Sequence, residues 1–194
     1  MTCLYLVRHG ATDEIGRSFT GRLSGISLNT EGREQAASLA EKFRDLAVRA
    51  IYSSPSDRAR QTADVIAAAA KVPVQQNCAF HEIEIGDWSG ATFETLNEQE
   101  DFRLFNSVRS LARPPAGELM LEVQSRAVAE LLRVSQICGP CPVVVVTHSD
   151  VIKAVLAYFL GIPLDLAHRL VIDLASVSVI ELASGTVRVV RVNS

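Results

Sequence analysis

The segment P-V-V-V-V-T at 142–147 constrains the fold more than any other stretch of this chain. Four consecutive valines leave no polar face, so the run must be covered on both sides, as a central strand of a parallel sheet is. His148 follows at its end, and a helix is expected at once, from Val151 to Leu160. The same pattern recurs upstream. C-L-Y-L-V-R at 3–8 reads as a short buried strand ending in Arg8 and His9. A Gly- and Ser-rich loop from Gly10 to Asn29 leads into a helix from about Thr30 to Leu46. Thr30 is its expected N-cap, and Ala36, Leu39, Ala40 and Phe43 fall at helical spacing. Arg49–Ser53 is the second strand. It runs into a helix start where Ser54 is expected to cap, Pro55 to take the first position and Asp57 to favour the positive end, with the helix reaching about Ala70.

A third short strand is expected near Val74. From Glu94 to Gly117 the chain is irregular and charged, and it ends in R-P-P-A-G, which suits short helices forming a cap or loop. A helix from about Leu119 to Gln136 precedes the valine run. Two last strands, about 170–174 with 177–182 and then 186–192, are joined in part by the turn A-S-G-T. Strands alternating with helices predict a three-layer α/β/α sandwich with a mostly parallel central sheet, right-handed crossovers and a small helical cap. With 194 residues, 48% of them hydrophobic, a single domain over 1–194 is expected, with 94–117 as the cap over the site.

In parallel sheets the ligand site lies beyond the carboxyl ends of the strands. Arg8–His9, Ser53–Arg58 and Thr147–His148 all fall at that kind of strand end, so three scattered segments converge. A lone histidine there is more often structural. Two imidazoles and two guanidiniums around one crevice, however, need an anion between them, and tetrahedral phosphate fits. A neutral imidazole with a fixed tautomer could then act as nucleophile. Helix starts after Ser54 and His148 would add backbone N–H groups. The basic residues are 16 Arg and 3 Lys, which suits phosphate contacts, although an Arg-rich codon usage explains the bias equally well.

The formal net charge of -3 argues against a general nucleic-acid binder. No secretion signal is visible, and the apolar runs are far below the roughly 20 residues of a membrane span. A cytoplasmic protein is expected. Four cysteines are too few for a disulfide scaffold. C-G-P-C at 138–141 has the form of a thioredoxin-type dithiol, but there the motif opens a helix, whereas here a helix precedes it and a strand follows. A tight turn is the expected role, with no metal site.

The blocks R-H-G-A-T at 8–12, L-N-T-E-G-R-E-Q-A at 28–36, S-S-P-x-x-R-A-x-Q-T at 53–62, E-I-E-I-G-D-W-S-G at 82–90 and V-T-H-S at 146–149 resemble the signature of the histidine phosphatase, or phosphoglycerate mutase-like, superfamily. The order and spacing agree over essentially the whole chain. The resemblance implies that His9 is the nucleophile, that Arg8, Arg58 and His148 hold the phosphoryl oxygens, and that Glu82 is the acid/base. F-T-G at 19–21 resembles a segment that approaches the phosphate, making Thr20 and Gly21 secondary candidates. Glu84 is a rival to Glu82, because residues two apart in an extended segment face the same side; His81 would face away as a structural residue. Two positions depart from the family pattern R-H-G-E-T-x-x-N: Ala11 stands at its Glu and Ile15 at its Asn.

The short chain and its E-I-x-I-G-D-W-x-G block resemble the phosphatase branch, so the resemblance implies metal-independent hydrolysis of a small phosphate monoester, with no cofactor. Mutase-type phosphoryl transfer and a catalytically weak phosphate-binding scaffold are the alternatives. In the cap, Arg109 and Arg113 are i, i+4 and could share a helix face. They could contact a second anion on the substrate, or form a solvated face paired with Glu100 and Asp101. The expected partner is a small phosphorylated substrate, not nucleic acid or membrane, and monomer and homodimer stay open.

Overall fold

The computed structural model covers Met1–Ser194. Six strands form one sheet: β1 (Thr2–Arg8), β2 (Ala50–Ser53), β3 (Val74–Gln76), β4 (Pro142–Thr147), β5 (Val177–Ala183) and β6 (Thr186–Arg191). Their spatial order is β3-β2-β4-β1-β5-β6. The valine strand β4 lies between β1 and β2 and is parallel to both; β2 and β3 are also parallel, while β5 and β6 run antiparallel at the other edge.

Side-chain alternation divides the core into two layers. Leu4, Leu6, Tyr52, Val143, Val145 and Ile180 point to one face, where α5 (Met120–Cys138) and α6 (Ser149–Leu160) cover them. Val7, Ile51, Val144, Val146 and Val179 point to the other and meet Leu39 and Phe43 of α1 (Thr30–Arg44) and Ala59, Ala63 and Ile66 of α2 (Asp57–Ala70). The expected three-layer arrangement is therefore present. The 94–117 segment forms α3 (Phe93–Asn97), α4 (Glu100–Ser107) and a following loop. Trp88 seats it, with ring centroids 5.3 Å from Phe102 and 5.5 Å from Phe105. Ser110 pins the loop from above through two hydrogen bonds to Asp165. No helix is long and apolar enough to cross a membrane.

Several boundaries differ from expectation for identifiable reasons. The N-cap of α1 is Asn29 rather than Thr30, its side chain accepting from the Gly32 N–H at 2.9 Å. Ser54 does not cap α2: its hydroxyl is engaged with His148, and the helix begins two residues beyond Pro55, with Ser56 in the capping position. Residues 170–174 form no strand. The Ile172 carbonyl accepts from Arg8, the Asp173 N–H donates to Asn193, and Ala175 turns the chain with φ 55°. The face shared by Arg109 and Arg113 does not exist either, because α4 ends at Ser107.

One close approach sets the loop after β1. A Cβ on Gly32 would fall inside the backbone of Ala11, and one on Gly10 would meet the Gly32 carbonyl oxygen at 2.6 Å. The loop thus lies directly on the start of α1, fastened by Asn29 N–H to the Ala11 carbonyl at 3.0 Å and Ala11 N–H to Gln35 Oε1 at 2.9 Å. Gly32→Ala should destabilise the fold by about 1–3 kcal/mol through overpacking. Urea unfolding checks this, and an unchanged midpoint would show that the loop can move aside.

Candidate active site

The register of the sheet brings the site together. Arg8 pairs with Thr147 and Ser53 with Val146, so three strands end at one level. The ladder continues one step further: His9 N–H donates to the Thr147 carbonyl at 3.0 Å and Ser54 N–H to the Val146 carbonyl at 2.9 Å. His9 is 4% exposed and His148 fully buried, with ring centroids 5.2 Å apart.

Hydrogen bonds fix the tautomer of His9. Its Nδ1 lies 2.8 Å from the Gly10 carbonyl, which can only accept, so Nδ1 carries the proton. Nε2 then keeps its lone pair and accepts from Arg58 Nε at 3.3 Å. Arg58 reaches this point from the first turn of α2, and its Nη2 donates to the Gly21 carbonyl at 2.8 Å. Burial, reinforced by the Arg58 charge, pushes the His9 pKa down to about 3, leaving a neutral imidazole at physiological pH. Burial, with Arg58 next, also holds His148 well below the ordinary histidine range. His148 Nε2 and Ser54 Oγ share a 2.7 Å hydrogen bond.

What this cluster lacks is an acceptor. Arg8 Nε, Arg58 Nη1, the Thr12 hydroxyl and His148 Nδ1 are buried with no hydrogen-bond partner in the protein. Each such group left unsatisfied costs about 1–3 kcal/mol. Arg8, Thr12 and Arg58 line one cleft with His9, of about 270 Å³, and a single anion with several oxygens could serve them together. Arg8 is oriented by its Nη1 bond to the Ile172 carbonyl at 2.6 Å.

Glu82 lines the same cleft. Burial, followed by the nearby Asp150 carboxylate, raises its pKa to about 7. Arg126 holds the segment in place, donating to the carbonyls of Ala79 at 2.7 Å and His81 at 2.7 Å while paired with Glu118 at 2.8 Å. Glu84 does not line the cleft. It lies 3.6 Å from Arg22 and accepts from the Gly86 N–H. His81 is likewise outside the lining.

Among the secondary candidates, Thr20 and Gly21 line the cleft, and Ile15 stands exposed at its rim. Arg109 lines it too, paired with Asp150 at 3.0 Å and not with Glu100 or Asp101. The structure does not bring Arg113 to the site: it is exposed and holds Glu122 through both Nη atoms. C-G-P-C forms the turn between α5 and β4, at the end of β4 opposite His148. Its thiols are free, and Cys141 Sγ donates to the Cys138 carbonyl.

Sequence reasoning missed Thr12, Ser149 and Asp150 in the lining and Arg126 behind Glu82. Asp150 had a signal, since it sits in the first turn of the helix that follows His148. Arg126 had none, because the carbonyls it holds, those of Ala79 and His81, lie 47 and 45 residues away along the chain.

Known proteins resemble this chain over nearly its whole length. A "Probable phosphoglycerate mutase GpmB" from Escherichia fergusonii is 30% identical over 200 residues, covering 96% of this chain and 91% of the relative. Among solved structures, "Bacillus stearothermophilus YhfR" superposes with a TM-score of 0.92 at 31% identity, covering 98% of this chain and 96% of that one. The mycobacterial glucosyl-3-phosphoglycerate phosphatase Rv2419c in complex with VO3 gives 0.87 at 27% identity, covering 99% of each chain. The profile of the histidine phosphatase superfamily (branch 1) matches residues 4–194, and on that match the chain belongs to this superfamily.

Proposed function

We propose that the chain is a metal-independent phosphatase that hydrolyses a small phosphate monoester through a phosphohistidine on His9. The observation that carries this reading is the set of unpartnered buried donors beside a neutral, tautomerically fixed imidazole. A phosphate dianion gives Arg8, Arg58 and Thr12 the acceptors they lack and replaces His9 Nε2 as the acceptor of the Arg58 Nε proton, while His148 joins them in the tautomer that carries its proton on Nδ1. The freed Nε2 lone pair attacks phosphorus, and the bond to the ester oxygen breaks. The guanidiniums stabilise the charge that builds on the equatorial oxygens. Glu82, neutral below its raised pKa, gives its proton to the departing alkoxide. The resulting carboxylate then takes a proton from water, whose oxygen attacks the phosphohistidine and restores His9. Residues 15–17 at the rim are exposed, which leaves water a path to the intermediate.

His9→Ala should abolish p-nitrophenyl phosphate turnover, and the wild-type activity should survive a chelator. Retained turnover in the variant would remove His9 from the chemistry. For alkyl phosphates, kcat/KM should fall as pH rises through about 7, because the proton-donating form of Glu82 is lost there. Glu82→Gln should lower kcat for such esters by roughly 10²–10⁴-fold. With p-nitrophenyl phosphate the same variant should show a burst of nitrophenol followed by slow turnover, since that leaving group needs no proton while the hydrolytic step still needs a base. Stopped-flow absorbance distinguishes the two phases.

A further inference from the structure

Beyond the groups that face His9, the cleft holds one more guanidinium, Arg109, whose two Nη groups are engaged and whose buried Nε alone has no partner. Arg109 Nη1 meets Asp150 Oδ2 at 3.0 Å, Nη2 donates to Asn106 Oδ1 at 2.9 Å, and the guanidinium carbon lies 4.7 Å over the Phe105 ring. Both charged side chains are only 15% exposed. Burial opposes ionisation of Asp150, but Arg109, Lys153 and Arg8 outweigh it and keep the carboxylate charged. Of the arginines outside the lining, Arg22 is paired with Glu84 and Glu118 and Arg126 with Glu118, while Arg17 is exposed and does not line the cleft.

Glu14 is the opposite case. It lines the cleft, accepts from the Ser18 hydroxyl, and forms no ion pair. When Arg8 and Arg58 hold a phosphate dianion, the rest of the lining offers a neutralised Arg109–Asp150 pair and an uncompensated Glu14 carboxylate. The lining also includes an apolar cluster of Phe19, Phe93 and Phe102, with centroids 5.8 to 6.5 Å apart. A carboxylate on the leaving group would find no unpaired cation among the lining residues, only the single Nε donor of the Arg109–Asp150 pair, and would approach two like charges, Asp150 and Glu14.

We propose that this cleft selects monoesters of alcohols that carry no second anion, and that Asp150 is the specificity-determining residue because it neutralises Arg109. The inference rests on the phosphatase reading above and names its substrate class. It separates this chain from relatives whose names carry phosphoglycerate.

Glycerol 3-phosphate and 3-phosphoglycerate make a matched pair, because a hydroxymethyl group replaces a carboxylate. Binding is measured by titration calorimetry and turnover by released phosphate. The wild-type protein should favour glycerol 3-phosphate by about tenfold or more in both, the scale expected of a like-charge contact. Asp150→Asn leaves Arg109 held by Asn106 and Phe105 with its charge unpaired. The ratio should then move about tenfold or more towards 3-phosphoglycerate. Any change in Glu82 caused by the same substitution acts on both esters and cancels in the ratio. Adding Arg109→Gln should erase the shift. Equal or better binding of 3-phosphoglycerate by the wild type would overturn the proposal, as would no measurable binding of glycerol 3-phosphate or an unchanged ratio in a folded Asp150→Asn protein. If that variant does not fold, the wild-type ratio decides. If the binding preference holds but neither ester releases phosphate, the hydrolase reading fails and the selectivity stands.

Discussion

The parallel pairing of β4 with both β1 and β2 is the interaction on which the rest of the molecule depends. It levels the ends of three strands and then extends by one residue on each side, through His9 N–H to the Thr147 carbonyl and Ser54 N–H to the Val146 carbonyl. The residues at the head of the cleft are therefore continuations of the ladder, although they lie where loops begin. Positions on such rigid elements hold their geometry better than loop positions do. The same depth in the sheet that fixes His9 also strips it of water, and this burial keeps its imidazole neutral.

Desolvation acts on the two kinds of group in opposite senses. It disfavours the charged form of each, so it lowers the pKa of His9 and His148 and raises that of Glu82. One environment thereby yields a base and an acid that coexist near neutrality. The guanidiniums cannot give up their protons in this way and remain as buried donors in need of an acceptor. The cost is borne by the two cores on either face of the sheet, which hold the strand ends in place whether or not an anion is bound.

Much of this was legible in the sequence because the signals were local. The valine run announced β4, and strand ends followed by His or Arg announced the cluster. The family resemblance pointed to Glu82 with Glu84 as a rival, and the structure turns only Glu82 to the cleft, Glu84 being drawn off by Arg22. What was not legible depends on partners distant in the chain. Ser54 looked like a cap until His148, 94 residues on, took its hydroxyl. Residues 170–174 looked like a strand, but their backbone groups serve Arg8 and Asn193 instead. Arg109 had a plausible pairing on its own segment and found Asp150 from a different helix.

The topology also has a temporal consequence. β1 leaves the ribosome before the other five strands, yet both of its neighbours, β4 and β5, come from residues 142–183. At synthesis rates of about 5–20 residues per second, the apolar strand that leads into His9 waits on the order of ten seconds for its first partner. Until then the nascent chain exposes an unpaired strand and cannot assemble its anion cradle. Holding that segment soluble is a task for the cell rather than for the fold, and the wait is built into the order in which the strands are written.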